Sequence, residues 1–90
     1  MRIAVAIPSY KVHAHVLDVI ARVPPQVERI YVVDDKCPQD SGRLVQEQCH
    51  DPRVRVLFHE QNQGVGGAVS TGYRAALEEG MDIVVKIDGD

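Results

Sequence analysis

An α/β fold with four parallel strands and three intervening helices is the architecture that the sequence predicts. Short runs of β-branched residues alternate along the chain with segments in which apolar residues recur every three or four positions, and this alternation is typical of a parallel sheet. The 90 residues are 44% hydrophobic and 26% charged, which indicates one globular core rather than a disordered chain. We therefore expect residues 1–90 to form a single domain.

The first two strands are separated by a helix. Residues 3–7 are a β-branched run that predicts the first strand, and residues 30–33 predict the second. Between them, four apolar residues recur at helical spacing: Val12, Val16, Ile20 and Val23. Pro24 and Pro25 then end the predicted helix, because proline lacks the backbone donor and clashes with the preceding turn.

The second half of the chain repeats this rhythm. A shorter helical face predicts a second helix over residues 41–50. Val54, Val56 and Phe58 alternate with Arg53, Arg55 and Leu57, which predicts a partly solvent-exposed edge strand over residues 54–58. A third helix is predicted over residues 67–79, ended by Gly80, and a fourth strand over residues 83–87. We expect the core-facing side of the third helix to consist of Val69, Tyr73, Ala76 and Leu77.

The predicted strand order is 3-2-1-4, in a three-layer, Rossmann-like sheet, because right-handed crossovers with the third strand at an edge favour it. In such sheets, ligands bind in the crevice outside the carboxyl ends of the strands, where the crossovers diverge to opposite faces. The residues that follow the strands are therefore the functional candidates. They are Pro8-Ser9-Tyr10, Asp34-Asp35, the stretch from Asn62 to Gly67, and Asp88-Gly89-Asp90.

Acidic residues are prominent on this predicted rim. Two carboxylates about 4 Å apart repel each other by roughly 4 kcal/mol at an effective dielectric of about 20, unless a cation or hydrogen-bond donors offset the repulsion. Asp88 and Asp90 point to the same side of an extended segment, and their oxygens suit Mg²⁺ or Mn²⁺. The pattern predicts a divalent-cation site at these two residues.

Each motif also has a purely structural interpretation. Asp-Gly-Asp is common in turns, and Asp34-Asp35 is suited to capping the segment that follows. Tyr10 is suited both to packing and to stacking on a base. For His59, which precedes the Asn-Gln-Gly turn, a structural hydrogen bond to that loop is favoured over catalysis. The combination of motifs decides between the interpretations, rather than any single one.

Composition and motif position exclude several function classes. The net charge of −3, with scattered Lys and Arg, gives no basic surface for nucleic acid. No apolar run reaches the roughly 20 residues that a membrane span requires, and Cys37 and Cys49 are expected to be free thiols, so we expect a cytoplasmic location. The glycine cluster does not match a dinucleotide fingerprint, since Val69 occupies its third glycine position.

Taken together, five segments resemble family 2 glycosyltransferases of the GT-A fold. They are Ala6-Ile7-Pro8-Ser9-Tyr10, Val32-Val33-Asp34-Asp35, the stretch from Asn62 to Ala68, Thr71-Gly72-Tyr73 and Asp88-Gly89-Asp90. The likeness spans the whole chain and is greatest to the polyprenyl-phosphate branch, such as dolichol-phosphate mannosyltransferase. The chain departs from the family's common pattern after Tyr10, where Lys11 and Val12 replace Asn and an acidic residue.

This resemblance implies a site for a nucleoside-diphosphate sugar, a UDP- or GDP-sugar, together with Mg²⁺ or Mn²⁺. By motif position, Pro8 and Tyr10 would line the base pocket and Asp35 would hydrogen-bond the base. Asp88 would lie by the ribose and diphosphate, and Asp88 and Asp90 would hold the metal. The family's acceptor-site acid and base lie beyond the acidic motif, so no catalytic residue is assigned.

The resemblance therefore implies the N-terminal, donor-binding half of an inverting glycosyltransferase, truncated after the D-x-D motif and inactive alone. Its parent enzyme, of the EC 2.4 type, would act at the cytoplasmic face of a membrane. The alternative is a stand-alone nucleotide-binding or interaction module without transferase activity. Because complete GT-A domains continue the sheet beyond D-x-D, truncation there would leave the fourth strand as an unpaired apolar edge, which predicts a homo-oligomer through residues 83–87.

Overall fold

A computed structural model of the protein describes residues 1–89, and Asp90, one of the two predicted metal ligands, lies outside them. Strands and helices alternate in the predicted order. The elements are β1 (Ile3–Ser9), α1 (Val16–Ala21), β2 (Arg29–Asp34), α2 (Ser41–Gln48), β3 (Val54–Phe58), α3 (Gly64–Glu78) and β4 (Ile83–Lys86). No helix within residues 1–89 has the length and apolar character that crossing a bilayer requires.

The four strands form one parallel sheet in the order β3-β2-β1-β4, which confirms the predicted topology. The two neighbours of β1 pair with it over different lengths. Pairing with β2 continues to Ser9 and Asp34, whereas pairing with β4 ends at Ala6 and Lys86. Pro8 lies beyond this end. Because β1 and β4 are no longer paired there, the absence of an N–H group in proline costs no hydrogen bond between these two strands within the described residues. The short β1–β4 pairing leaves a crevice at the carboxyl end of the sheet.

The larger part of the core lies on the sheet face that α1 and α2 cover, and valine and isoleucine dominate it. Its fully buried members include Val5, Ile7, Val16, Ile20, Ile30, Val32 and Val45. A smaller cluster on the α3 face contains Ala4, Tyr31, Ala76 and Met81. Branched side chains from strands and helices thus meet on one face, while α3 packs on the other through smaller residues.

The first helix is shorter than the sequence predicts. Val12 is buried as expected, but α1 includes only Val16–Ala21. Lys11 has a left-handed backbone with a φ of 59°, and the carbonyl oxygen of Val12 accepts hydrogen bonds from the amides of His15 and Val16 at 2.9 Å. A turn, rather than a first helical turn, therefore brings Val12 into the core.

The buried face of α3 differs from the predicted one. Ala76 is buried, but Tyr73 is 40% exposed and Leu77 is 75% exposed, so their assignment to the core-facing side was wrong. The buried residues of α3 are Ala68, Gly72 and Ala76. A Cβ atom added to Gly72 would lie 2.8 Å from the Cβ of Ala6. The helix therefore lies too close to β1 for larger side chains to fit between them.

Two glycines with positive φ mark the ends of α3. Gly64, with a φ of 78°, is the first residue of the helix, three residues earlier than predicted. Gly80, with a φ of 79°, follows its end and confirms the predicted stop signal. The early start matters for the site, because it brings the N-terminal amides of α3 to the carboxyl end of β2.

Candidate functional site

A cleft of about 160 Å³ lies at the carboxyl end of the sheet, between the ends of β1 and β4 and the first turns of α3. We call it the rim cleft. It is lined by Pro8, Ser9, Tyr10, Val12, Asp35, Val65, Ala68, Asp88 and Gly89. The four residues that the sequence suggested for nucleotide binding, Pro8, Tyr10, Asp35 and Asp88, all belong to this lining. The fold thus brings them together, and their roles remain predictions.

Asp35, the residue after β2, is held at the N-terminus of α3. Its Oδ1 atom accepts hydrogen bonds from His59 Nδ1 at 2.8 Å and from the amide of Gln63 at 2.7 Å. Its Oδ2 atom accepts one from the amide of Gly64 at 2.8 Å. Its own amide donates to the carbonyl of Ser9, on β1, at 3.1 Å. Asp35 therefore connects β1, the end of β3 and the start of α3. Its carboxylate accepts hydrogen bonds from N-terminal amides of α3, which have no acceptor within the helix.

These donors keep the Asp35 carboxyl ionised. Burial alone would raise its pKa, but the hydrogen bonds from His59, Gln63 and Gly64 lower it to below the ordinary value. An ionised carboxylate has about four acceptor positions, and three are filled by the described bonds. One acceptor position, on Oδ2, has no partner among the described residues.

Asp34 points to the other face of the sheet and caps a different segment. Its carboxylate accepts hydrogen bonds from the amides of Cys37 and Gly42, each at 2.8 Å. Gly42 lies in the first turn of α2, and a Cβ atom there would come within 2.8 Å of the Asp34 side chain. The predicted capping of the following segment is therefore confirmed for Asp34, whereas Asp35 instead binds the start of α3, which is distant in sequence, and lines the rim cleft.

His59 makes structural hydrogen bonds, as the sequence favoured, but its partners are not in the Asn-Gln-Gly turn. Its Nδ1 atom lies 2.8 Å from Asp35 and its Nε2 atom 2.7 Å from the hydroxyl of Thr71. The sequence motifs indicated no role for Thr71. In the structure it follows the buried Ala68 by three positions and shares its helix face, but a polar threonine does not contribute to the apolar pattern from which that face was predicted.

The loop after β1 presents an aromatic ring to the rim cleft. Tyr10 is 42% exposed, and the ammonium of Lys11 lies 5.5 Å from its ring centroid. The amide of Lys11 donates to the sulfur of Cys37 at 3.1 Å, and Cys37 is a buried free thiol. This bond anchors the loop to the residues before α2, and the Tyr10 ring is partly exposed beside the rim cleft.

Asp88 and Gly89 form the opposite wall of the rim cleft. The Asp88 side chain is 66% exposed, and its Oδ1 atom lies 3.0 Å from the ammonium of Lys86. Gly89 is buried against Val12, where a Cβ atom would lie 3.1 Å from a methyl carbon. Within residues 1–89, no group of three or more His, Cys, Asp or Glu side chains is arranged as a metal site. The described residues thus contain one of the two predicted metal ligands.

Comparisons with known proteins identify the family and the fold of the chain. The model of the family described as Glycosyl transferase family 2 matches residues 4–90. An undecaprenyl-phosphate mannosyltransferase from Micrococcus luteus is 33% identical over an alignment that covers 100% of this chain and 38% of that protein. A UDP-N-acetylglucosamine–dolichyl-phosphate N-acetylglucosaminyltransferase from Methanococcus voltae is 30% identical over 93% of this chain and 39% of that protein. The chain therefore spans less than two fifths of the length of these curated relatives.

A solved structure shows the same fold. The crystal structure of S. aureus TarS in complex with UDP matches 100% of this chain and 28% of the TarS chain, with a TM-score of 0.72 and 24% identity. This match confirms the predicted fold, the N-terminal part of the GT-A glycosyltransferase fold. It also agrees with the strand order β3-β2-β1-β4, in which β1 lies beside the rim cleft.

Proposed function

We propose that this chain, which belongs to glycosyl transferase family 2, binds a nucleoside-diphosphate sugar with Mg²⁺ or Mn²⁺ as the donor half of an inverting glycosyltransferase. The observation that carries the proposal is the rim cleft, where Pro8, Tyr10, Asp35 and Asp88 converge from three separate segments. Residues 1–90 would be one domain of that enzyme. The additional length of the relatives would supply the acceptor site, and a polyprenyl phosphate is the proposed acceptor because both relatives act on one by name.

The base would occupy the part of the rim cleft between Tyr10 and Asp35. The exposed part of the Tyr10 ring offers a stacking surface, and the apolar side chains of Val65 and Ala68 line the same space. The open acceptor position on Asp35 is suited to an N–H group of the base, since an ionised carboxylate accepts and does not donate. Uracil and guanine both present such a group.

The diphosphate and the cation would lie near Asp88. Its carboxylate is largely exposed, and its described partner is Lys86, in a surface ion pair that contributes little to stability and is easily exchanged for a ligand. Oxygen ligands of this kind fit Mg²⁺ or Mn²⁺, with diphosphate oxygens, water and the carboxylate of Asp90 as further ligands. The bound cation would offset negative charge on the departing nucleoside diphosphate. The residues of this chain would hold and orient the donor. The general base that deprotonates the acceptor would come from the part of the enzyme beyond these residues.

The experiment is a calorimetric titration of the chain with UDP- and GDP-sugars, in the presence and absence of Mn²⁺. Asp88→Asn is the test variant, because Asp88 is exposed and supports no described helix or core contact. Asp18→Asn is the matched control, since Asp18 is an exposed aspartate in a surface ion pair with Arg22. Loss of a charged contact lowers affinity by about tenfold or more. We expect this loss for Asp88→Asn in the presence of Mn²⁺ and none for Asp18→Asn.

Two other outcomes would contradict the proposal. Binding that needs no metal and is unchanged in Asp88→Asn would favour the stand-alone nucleotide-binding module. If no nucleotide sugar binds with or without Mn²⁺, the rim cleft is not a donor site. Asp35 is a poorer test variant, because its carboxylate also caps α3, so its replacement would change stability as well as binding.

A further inference from the structure

His59 has a buried side chain, does not line the rim cleft, and contacts a lining residue of that cleft, Asp35, through Nδ1. The side chains of His59 and Asp35 are 6% and 4% exposed. Both ring nitrogens have partners, Asp35 on Nδ1 at 2.8 Å and Thr71 on Nε2 at 2.7 Å. Two hydrogen bonds at opposite ends of an imidazole fix both the position and the plane of the ring.

The direction of the bond to Asp35 follows from its chemistry. An ionised carboxylate only accepts hydrogen bonds, so His59 Nδ1 carries a proton and donates it. The Thr71 hydroxyl is 3.1 Å from the carbonyl oxygen of Gly67 and 2.7 Å from Nε2, and it can donate its proton to either. In both arrangements the Nδ1–H group donates to Asp35. Thr71 thus fixes the ring, and the ring fixes the carboxylate.

The backbone amides alone do not determine which oxygen of the Asp35 carboxylate keeps a free acceptor position. The amides of Gln63 and Gly64 give each carboxylate oxygen one donor. The second donor on Oδ1 comes from His59. Without it, each oxygen has one free acceptor position, and a ligand N–H group can bind in two places. With it, the free position is confined to Oδ2.

We propose that His59 is a positioning residue, which holds the Asp35 carboxylate in the single orientation that recognises the base of the donor. The inference rests on the proposed function, because recognition of the base by Asp35 is part of that function. His59 itself touches no ligand. Its contribution is to confine the carboxylate, in the way that outer hydrogen bonds orient side chains at other sites.

The test compares two amides that differ only in where they place their donor. In His59→Asn the side-chain nitrogen lies as many bonds from Cα as Nδ1, so it can still donate to Asp35. In His59→Gln the nitrogen corresponds to Nε2, so it can reach Thr71 but not replace the Nδ1 donor. Affinities of the full chain for UDP, GDP and inorganic pyrophosphate are measured with Mn²⁺ by calorimetry. Urea unfolding of each variant shows that it is folded.

We expect His59→Gln to bind UDP or GDP about tenfold more weakly, the lower end of the loss that removal of an outer hydrogen-bond partner produces at metal sites. His59→Asn should remain within about twofold of the wild type, and pyrophosphate, which has no base, should bind all three proteins alike. Equal weakening in both variants, parallel loss of pyrophosphate binding, or no change in either variant would overturn the inference. If the wild-type chain itself binds neither UDP nor GDP, the proposed function fails, and this inference with it.

Discussion

Two glycines of α3 predict opposite effects for the same substitution. Replacing a helical glycine by alanine stabilises a helix by about 0.5–1 kcal/mol, because alanine loses less backbone freedom on folding. At Gly66 an added Cβ atom would point into open space, with no heavy atom within 4 Å apart from its chain neighbours and the backbone of its own helix. Gly66→Ala should therefore raise the free energy of unfolding by up to this amount.

At Gly72 the same methyl group has no room. Its Cβ would lie 2.8 Å from the Cβ of Ala6 and 3.7 Å from a methyl carbon of Val33. Carbon atoms prefer separations of about 3.5–4.0 Å, so α3 would have to move away from β1 by somewhat less than about 1 Å. Overpacking of this kind costs about 1–3 kcal/mol. After the gain in helix propensity is subtracted, Gly72→Ala should lower the free energy of unfolding by up to about 2.5 kcal/mol.

The assay is urea unfolding at 25 °C, followed by far-ultraviolet circular dichroism, for the wild type and both variants. Each variant serves as the control for the other, because both add one methyl group to the same helix. We expect Gly66→Ala to be at least about 1 kcal/mol more stable than Gly72→Ala. Equal stability of the two variants would refute the reasoning, since it would mean that α3 does not lie this close to β1.

Two further predictions concern pH and self-association. The pKa of Asp35 is lowered in the folded protein, so its ionised form stabilises the fold above the unfolded pKa of about 3.9, and this contribution is lost as the pH falls through the folded pKa. The free energy of unfolding should therefore decrease as the pH is lowered from about 5, and the decrease should be less steep in Asp35→Asn than in the wild type. Parallel pH profiles of the two proteins would contradict this prediction. On β4, Ile83 and Val85 are 40% and 46% exposed, so we expect concentration-dependent association that Val85→Lys abolishes in sedimentation experiments. A wild-type chain that stays monomeric at high concentration would count against it.

The topology and the convergence of Pro8, Tyr10, Asp35 and Asp88 at the rim cleft were predictable, because both follow from where strands end. Pro8, Tyr10, Asp35 and Asp88 lie just after or at the ends of β1, β2 and β4. Parallel strands place those ends on one rim, and a sequence pattern alone is enough to recognise them. The order of the strands follows from the handedness of the crossovers and from the alternating pattern of β3.

The packing of α3 was not predictable from its own apolar pattern. The hydrophobic residues Tyr73 and Leu77 suggested a core face, but the distance between α3 and the sheet is set by the contact of Gly72 with Ala6, which are far apart in sequence. The role of Asp35 was likewise only partly accessible. Which of two adjacent aspartates faces α3 depends on the side of the sheet to which each crossover runs, and the pattern of the motif does not contain that information.

The end of β2 has a mechanical consequence for the whole domain. Successive strand residues point to opposite faces, so Asp34 holds the first turn of α2 on one side while Asp35 holds the first turn of α3 on the other. We therefore expect a displacement at this point to be transmitted to both outer layers of the fold. The amide protons of Gly42 and Gly64, although they belong to different helices, should therefore exchange with solvent through a shared opening of the domain rather than by separate fraying.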